Sequence, residues 1–148
     1  LSALCVSVWR VLQAEGPSLR SEALLLDLVA RLIADKPVDP PWNAPTSIRR
    51  ARDLIDDSPA RPLELDHLAR AAGVSKFHLV RGFSSLTGLT PHAYLLQKRA
   101  DLARRLIRSG AALADAAIDS GFADQSHMTR VFAARYGVTP GAYAAAFA

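Results

Sequence analysis

The sequence repeats part of itself at a fixed offset of 49 residues. Within a window of 17 residues, eight positions are identical in the two copies: His78/His127, Arg81/Arg130, Phe83/Phe132, Gly88/Gly137, Thr90/Thr139, Pro91/Pro140, Ala93/Ala142 and Tyr94/Tyr143. So many identities at one offset indicate a single structural unit built twice. In each copy a glycine precedes Thr-Pro, which is typical of one helix ending and the next beginning.

The pattern after residue 45 predicts helices and no strands. Apolar residues recur at helical spacing, and glycines fall at the ends of the segments. The predicted helices are 48–57, 64–72, 76–87, 91–108, 113–120, 125–136 and a short one from Pro140. We therefore expect an all-α fold, with two helix-turn-helix subdomains joined by a long central helix and preceded by a helical hairpin.

The first 44 residues differ in character from the rest. Helical periodicity in 6–13 and 21–35, broken at Gly16-Pro17, predicts an antiparallel helix pair, and prolines between residues 37 and 45 predict an extended linker. The leucine-rich face of 21–35 packs either within this pair or on a missing domain or a second copy. Because Leu1 already lies in a helical pattern, we expect a fragment of a longer polypeptide, with a domain boundary between residues 44 and 45.

Charge is unevenly distributed between these two parts. Residues 1–45 hold four Lys/Arg and five Asp/Glu, whereas residues 46–148 hold fourteen and nine. The basic second part favours a polyanionic partner. The single Cys5 excludes an internal disulfide and a thiolate metal cage, which fits a reducing cytoplasm. No run approaches the roughly 20 apolar residues that span a bilayer.

The second helix of each motif is the candidate DNA-binding element. In helix 76–87 we expect Leu79, Phe83 and Leu86 to face inward, and in helix 125–136 Met128, Val131 and Phe132. The residues left outward are Lys76, Phe77, Val80, Arg81 and Ser84 in the first helix, and Gln125, Ser126, Thr129 and Arg130 in the second. Except for Ser84, these are the predicted DNA-binding residues.

Their chemistry suits base edges, because arginine can pair with guanine, glutamine with adenine, and small or apolar groups with the thymine methyl. Whether Arg81 and Arg130 contact a base or a phosphate stays open. The competing interpretation is that each arginine makes only a surface ion pair.

The central helix 91–108 sets the spacing between the two motifs. At 1.5 Å per residue it is about 27 Å long, and successive major grooves lie about 34 Å apart. One chain could therefore contact two adjacent grooves. Most basic residues on its outer face (Lys98, Arg104, Arg105 and Arg108) are expected to be solvated, with at most one on phosphate. Arg99 falls on the leucine side, so we expect it to hold a carboxylate or helix-end carbonyls.

Other polar residues do not favour catalysis. His78 and His127 lie beside the inward stripes, where core or interface packing is favoured over metal ligation. Asp115 and Asp119 are expected to be capping and surface charges. The sequence therefore predicts no catalytic residue, no metal site and no cofactor.

Residues 48–143 resemble the AraC/XylS family of bacterial transcription regulators. The resemblance is carried by residues 68–83, by Arg99, Ala103, Leu106 and Ile107, and by Ala117, Gly121-Phe122, Ser126-His127, Arg130, Phe132, Gly137, Thr139-Pro140 and Tyr143. Two positions depart from the family pattern: Met128 replaces an aromatic residue and Ala144 replaces arginine.

The resemblance implies base-reading positions at Phe77, Val80 and Arg81, and at Gln125, Ser126, Thr129 and Arg130. It also implies that residues 1–44 close a sensor and dimerisation domain, whose missing part would bind a small-molecule effector. We accordingly expect a non-enzymatic cytoplasmic regulator, an activator or a repressor, that binds double-stranded DNA and RNA polymerase and dimerises through residues 1–35. The alternative is a helical protein-interaction module that does not bind DNA.

Overall fold

The computed structural model describes residues 44–147, with side chains from Thr46 onward. Cys5, the predicted helix pair and the predicted linker before Ala44 lie outside these residues. The described residues form seven α-helices and no strand, which confirms the all-α prediction. The helices are α1 (Ala44–Asp57), α2 (Leu65–Ala72), α3 (Lys76–Thr87), α4 (Pro91–Arg108), α5 (Leu113–Asp119), α6 (Gln125–Tyr136) and α7 (Pro140–Ala145).

Three helix ends differ from the prediction. Helix α1 begins at Ala44 rather than residue 48, so Pro45 is helical and not part of a linker. Proline is compatible with a first helical turn because its missing N–H has no partner there. Glu64 is the N-cap of α2, and Ser120 is the C-cap of α5.

The repeated segments have the same capping geometry in both copies. Gly88 (φ 76°) ends α3 and Gly137 (φ 74°) ends α6, both in the left-handed conformation that was predicted. The hydroxyl oxygens of Thr90 and Thr139 then accept hydrogen bonds from the amides three residues later, each at 3.2 Å. The repeat therefore encodes the same sequence of helix end, turn and helix start.

The chain divides into two compact units. The described part of the first unit contains residues 44–54 and 63–94, and that of the second contains 55–62 and 95–147. Each unit holds one helix-turn-helix, formed by α2 and α3 in the first and by α5 and α6 in the second.

In the first unit most buried residues come from three helices: Ile48 and Ala51 of α1, Leu65, Leu68, Ala69 and Ala72 of α2, and Leu79, Val80 and Phe83 of α3. Leu63, before α2, and Pro91, at the start of α4, are also buried. Helices α1 and α3 approach closely at Gly82, where an added Cβ would lie 2.9 Å from Cγ1 of Ile48. The Phe83 ring meets Tyr94 edge-on, with centroids 5.3 Å apart. These contacts fix one face of α3.

The second unit has a continuous apolar core. Its buried members are Ala100, Ala103, Ile107, Ala116, Ala117, Phe122, Met128 and Phe132. The predicted inward residues Met128 and Phe132 are fully buried, and Val131 packs against the core while partly exposed. Because alanines line the α4 and α5 sides, helices can approach closely around the large Phe132 ring.

Gly121 ends the turn after α5 in a place that no other residue fits. Its φ is +85°, and an added Cβ would lie 2.5 Å from the carbonyl oxygen of Ala60, a backbone atom and not the end of a flexible side chain. Gly110 has a similar φ of +91° but nothing within 4 Å. Comparing substitutions at the two glycines therefore distinguishes two contributions to stability: the left-handed backbone conformation, which both share, and the close approach to Ala60, which only Gly121 has.

We expect Gly121→Ala to lower the free energy of unfolding by at least about 1 kcal/mol more than Gly110→Ala. Both substitutions carry the left-handed backbone cost of roughly 1 to 3 kcal/mol, and only the first also forces the segment around Ala60 to move. Urea unfolding of the two variants measures the difference. Equal losses would show that the approach to Ala60 is not tight.

Candidate nucleic-acid interface

The N-terminal half of α6 presents a polar surface opposite the core. Gln125, Ser126 and Arg130 are exposed and Thr129 is half-buried. Together with Asp124 they line an open depression of about 560 Å³. The four residues predicted on this helix therefore do lie outward and share one surface.

Some polar groups on this surface already make hydrogen bonds or ion pairs within the protein, and others do not. The Thr129 hydroxyl donates to the Gln125 carbonyl at 2.8 Å, which leaves its methyl group and oxygen lone pairs for a ligand. The Arg130 guanidinium makes no ion pair within residues 46–147. The interpretation of Arg130 as half of a surface ion pair is therefore not supported by the described residues.

The other end of α6 is tied to α4 by a polar network. Arg135 forms an ion pair with Asp101 (3.2 Å), and the Tyr136 hydroxyl donates to the same carboxylate at 2.5 Å. Burial, and then the hydrogen bond to Asp101, raise the pKa of Tyr136. Although burial lowers the pKa of Arg135, its bonds to Tyr136 and Asp101 raise it overall. This network fixes the C-terminal end of α6. Arg130, unlike Arg135 on the same helix, makes no ion pair within the described residues.

On α3, three of the four predicted residues are at least partly exposed. Arg81 is exposed and makes no ion pair within the described part of the chain. Lys76 is half-buried, with its Nζ 3.6 Å from a carboxylate oxygen of Asp66. Phe77 is also half-buried, and its ring meets His78 edge-on at 5.6 Å. Lys76, Phe77 and Arg81 thus remain candidate contacts of α3.

Val80 corrects the prediction for this helix. Its side chain is 0% exposed, so the expectation that it faces outward as a DNA-binding residue is wrong. Adjacent residues of a helix are 100° apart. A buried face that contains both Leu79 and Val80 is therefore wider than the predicted stripe of Leu79, Phe83 and Leu86, and it is rotated toward Val80. Consistently, Leu86 is 38% exposed rather than inward, and the Ser84 Oγ is buried without a hydrogen-bond partner in the described residues.

Arg99 has a structural role of the kind predicted. Its Nε donates to the Pro59 carbonyl at 2.8 Å, and its Nη2 donates to the Arg61 carbonyl at 3.0 Å. These carbonyls belong to the loop after α1, not to a helix end or a carboxylate. Burial lowers the pKa of the Arg99 guanidinium below its usual value.

The basic residues on the outer face of α4 have more partners than expected. Lys98 pairs with Asp56 at 2.8 Å, Arg104 lies over the Tyr136 ring at 5.2 Å, and Arg108 lies over the Phe147 ring at 5.6 Å. Arg105 is exposed. Arg104, Arg105 and Arg108 are exposed, as expected for solvated side chains, whereas Lys98 is half-buried in an ion pair.

The two histidines occupy different environments. His78 is exposed beside Ser75, with Nδ1 2.8 Å from Oγ, so core packing is wrong for this residue. His127 is half-buried and meets the Phe122 ring edge-on at 5.2 Å. Asp115 and Asp119 are surface charges, and the N-cap of α5 is Ala112.

Residues 44–147 contain neither a membrane-spanning helix nor a metal-binding cluster. No helix there is long and apolar enough to cross a membrane. No group of three or more His, Cys, Asp or Glu side chains in that range is arranged to hold a metal ion.

Sequence reasoning missed two features of α6, one at each end of the helix. Asp124 is not among the predicted DNA-binding residues, yet it lines the depression beside them. Asp124 lies 49 residues after Ser75, the offset of the repeat, and this spacing is the sequence signal that could have identified it. The Asp101–Arg135 pair joins residues 34 positions apart, and no local pattern marks such a contact.

The fold and these exposed residues define a helix-turn-helix protein with two motifs in one chain. A family model described as "Helix-turn-helix domain" matches residues 68–146. The regulatory protein SoxS of Salmonella typhimurium is 34% identical over 92 residues, which cover 62% of this chain and 86% of SoxS.

Solved structures show the same relationship. The crystal structure of an AraC-type transcriptional regulator from Chromobacterium violaceum superposes with a TM-score of 0.65 at 25% identity, over 71% of this chain and 95% of that one. The DNA-binding domain of AdpA, solved in complex with a target DNA, superposes with a TM-score of 0.65 at 25% identity, over 68% of this chain and 92% of that one. The chain belongs to the AraC/XylS family.

The match does not extend over the whole of longer relatives. The chain spans 44% of the HTH-type regulator YbfI of Bacillus subtilis and 30% of the regulator MtrA of Neisseria gonorrhoeae. It therefore corresponds to less than half of these proteins.

Proposed function

We propose that this chain is the DNA-binding part of a sequence-specific transcription regulator, in which α3 and α6 each enter a major groove. The observation that carries the proposal is the surface of α6. Gln125, Ser126, Thr129 and Arg130 line one open surface on the N-terminal half of a helix whose other face is core. Recognition helices of helix-turn-helix proteins use this half to contact base edges.

Arg81 extends the proposal to the first unit. It occupies the position equivalent to Arg130, is exposed, and makes no ion pair within the described residues. Lys76 and Phe77 would flank it, as a phosphate contact and a contact to sugar or thymine methyl respectively. Two motifs in one chain would then contact two adjacent grooves, as a dimer of single-motif proteins does. The similar AdpA domain, solved in complex with a target DNA, supports DNA binding by a chain of this fold.

The wider context of the protein is part of the same proposal. The match to YbfI covers 80% of this chain, more than residues 44–147 supply, so it reaches into the segment before Ala44. That segment would then be the end of a sensor and dimerisation domain, with residues 1–35 forming a dimer contact and an effector bound outside this sequence. The protein would act in the cytoplasm, without enzymatic activity, by positioning RNA polymerase at a promoter.

A salt titration separates this proposal from the helical protein-interaction module. Fluorescence anisotropy of a labelled 30-base-pair duplex with the 148-residue chain is expected to show a steep fall of affinity with salt. Contacts to six to ten phosphates would lower affinity roughly 10³-fold to 10⁵-fold between 50 and 200 mM. An interaction module would instead show no binding, or weak binding with little dependence on salt.

A further inference from the structure

The two helix-turn-helix motifs differ at the residue that precedes the recognition helix. Ser75 caps α3 and Asp124 caps α6, and the two positions are 49 residues apart, the offset of the repeat. Each side chain accepts a hydrogen bond from the backbone amide three residues later, at 3.3 Å for Ser75 and 2.7 Å for Asp124. Both side chains therefore cap their helix, but they differ in charge, and Ser75 Oγ also lies 2.8 Å from Nδ1 of His78.

The Asp124 carboxylate faces the candidate interface. It is exposed and lines the depression formed with Gln125, Ser126, Thr129 and Arg130. Its Oδ1 accepts the capping bond from the His127 amide. No bond or ion pair occupies Oδ2 within the described residues, so one carboxylate oxygen is available to a ligand.

A hydroxyl and a carboxylate offer different contacts to a duplex. A serine hydroxyl can donate to a phosphate oxygen, as many helix-turn-helix contacts do. A carboxylate can only accept, and it repels a phosphate. It can accept from the exocyclic amino group of cytosine N4, and adenine N6 presents a similar donor in the major groove.

We propose that Asp124 is a specificity-determining residue of α6, which accepts a hydrogen bond from a base amino group and keeps phosphate away from the start of this helix. The inference rests on the proposed DNA-binding function. It makes α6 the more selective motif of the two, because Ser75 places no charge at the corresponding point of α3. Arg130 would then donate to acceptor groups, and Asp124 would accept from a donor group, on neighbouring base pairs.

The test is the substitution Asp124→Ser, which copies Ser75 and retains a capping oxygen. We expect tighter binding to scrambled duplexes, and a roughly tenfold loss of discrimination at one base pair of the selected site. The measurements are anisotropy titrations against the selected duplex and its single-base variants at one salt concentration. Thermal unfolding of the variant verifies that α6 remains capped.

The reciprocal substitution Ser75→Asp is the matched control. It adds the same carboxylate at the start of α3, and we expect weaker binding to scrambled duplexes because the carboxylate repels phosphate. If Asp124→Ser leaves the selected base pairs and the affinity for scrambled DNA unchanged, Asp124 is only a helix cap and the inference is wrong. If the unaltered chain binds no duplex at any salt, the proposed function itself fails.

Discussion

Replacing both Arg81 and Arg130 with alanine is expected to weaken binding to the preferred duplex by roughly 2 to 6 kcal/mol. Each arginine is worth about 1 to 3 kcal/mol if it contacts a base, and the two losses add if the sites act independently. Both side chains are exposed and make no ion pair within the described residues, so their removal leaves no charge uncompensated there.

The two single variants distinguish base contacts from phosphate contacts. If Arg130 reads a guanine, Arg130→Ala relaxes the preference at one base pair; if it contacts a phosphate, affinity falls alike for all sequences and the salt slope decreases by about one. Arg70→Ala is the control, because it removes the same charge from a side chain paired with Asp66 at 2.6 Å on α2. A double variant that binds like Arg70→Ala would contradict the proposed interface.

Phe132→Ala is expected to lower the free energy of unfolding by about 3 to 5 kcal/mol, the usual cost of removing a buried aromatic ring. Phe132 is 0% exposed, and its ring centroid lies 4.6 Å from the ring centroid of Tyr136 and 5.6 Å from that of Tyr143. The cavity would open beneath α6, the helix that carries the candidate interface. Chemical denaturation followed by circular dichroism measures the loss.

Ile118→Ala provides the matched control for Phe132→Ala in the same unit. Ile118 is 67% exposed, so its truncation is expected to change stability by no more than about 0.5 kcal/mol. If Phe132→Ala costs no more than Ile118→Ala, the second unit does not pack around Phe132 as the structure describes.

The sequence predicts α6 well because several local signals agree there. Met128 and Phe132 are four residues apart on one face, Asp124 supplies a cap, and Gly137 ends the helix. Such agreement leaves one orientation for the helix, and the polar residues opposite Met128 and Phe132 follow from it. Their placement outward is therefore readable from periodicity alone.

Helix α3 shows where periodicity is insufficient. The spacing of Leu79, Phe83 and Leu86 defines a stripe, but it does not say which side of the stripe other parts of the protein cover. Tertiary packing buries Val80 on one side and leaves Leu86 partly exposed. A β-branched apolar residue at the edge of a stripe is thus better assigned to the core than to a binding surface.

Long-range polar contacts were equally inaccessible to sequence reasoning. The burial expected for Arg99 predicted that it needs acceptors, yet only the fold brings the carbonyls of Pro59 and Arg61 to it across about 40 residues of sequence. The bonds of Tyr136 and Arg135 to Asp101 depend in the same way on how α4 and α6 pack. The chemistry of a residue indicates what it needs, whereas the partner depends on the tertiary structure.

The most direct test of the central claim is selection of duplexes from a random pool by the 148-residue chain, followed by sequencing of the bound DNA. Sequence-specific binding by both motifs predicts enrichment of a site with two half-elements about 10 base pairs apart. Arg81→Ala should degrade one half-element and Arg130→Ala the other. A pool that shows no enrichment after repeated rounds at moderate salt would contradict sequence-specific recognition.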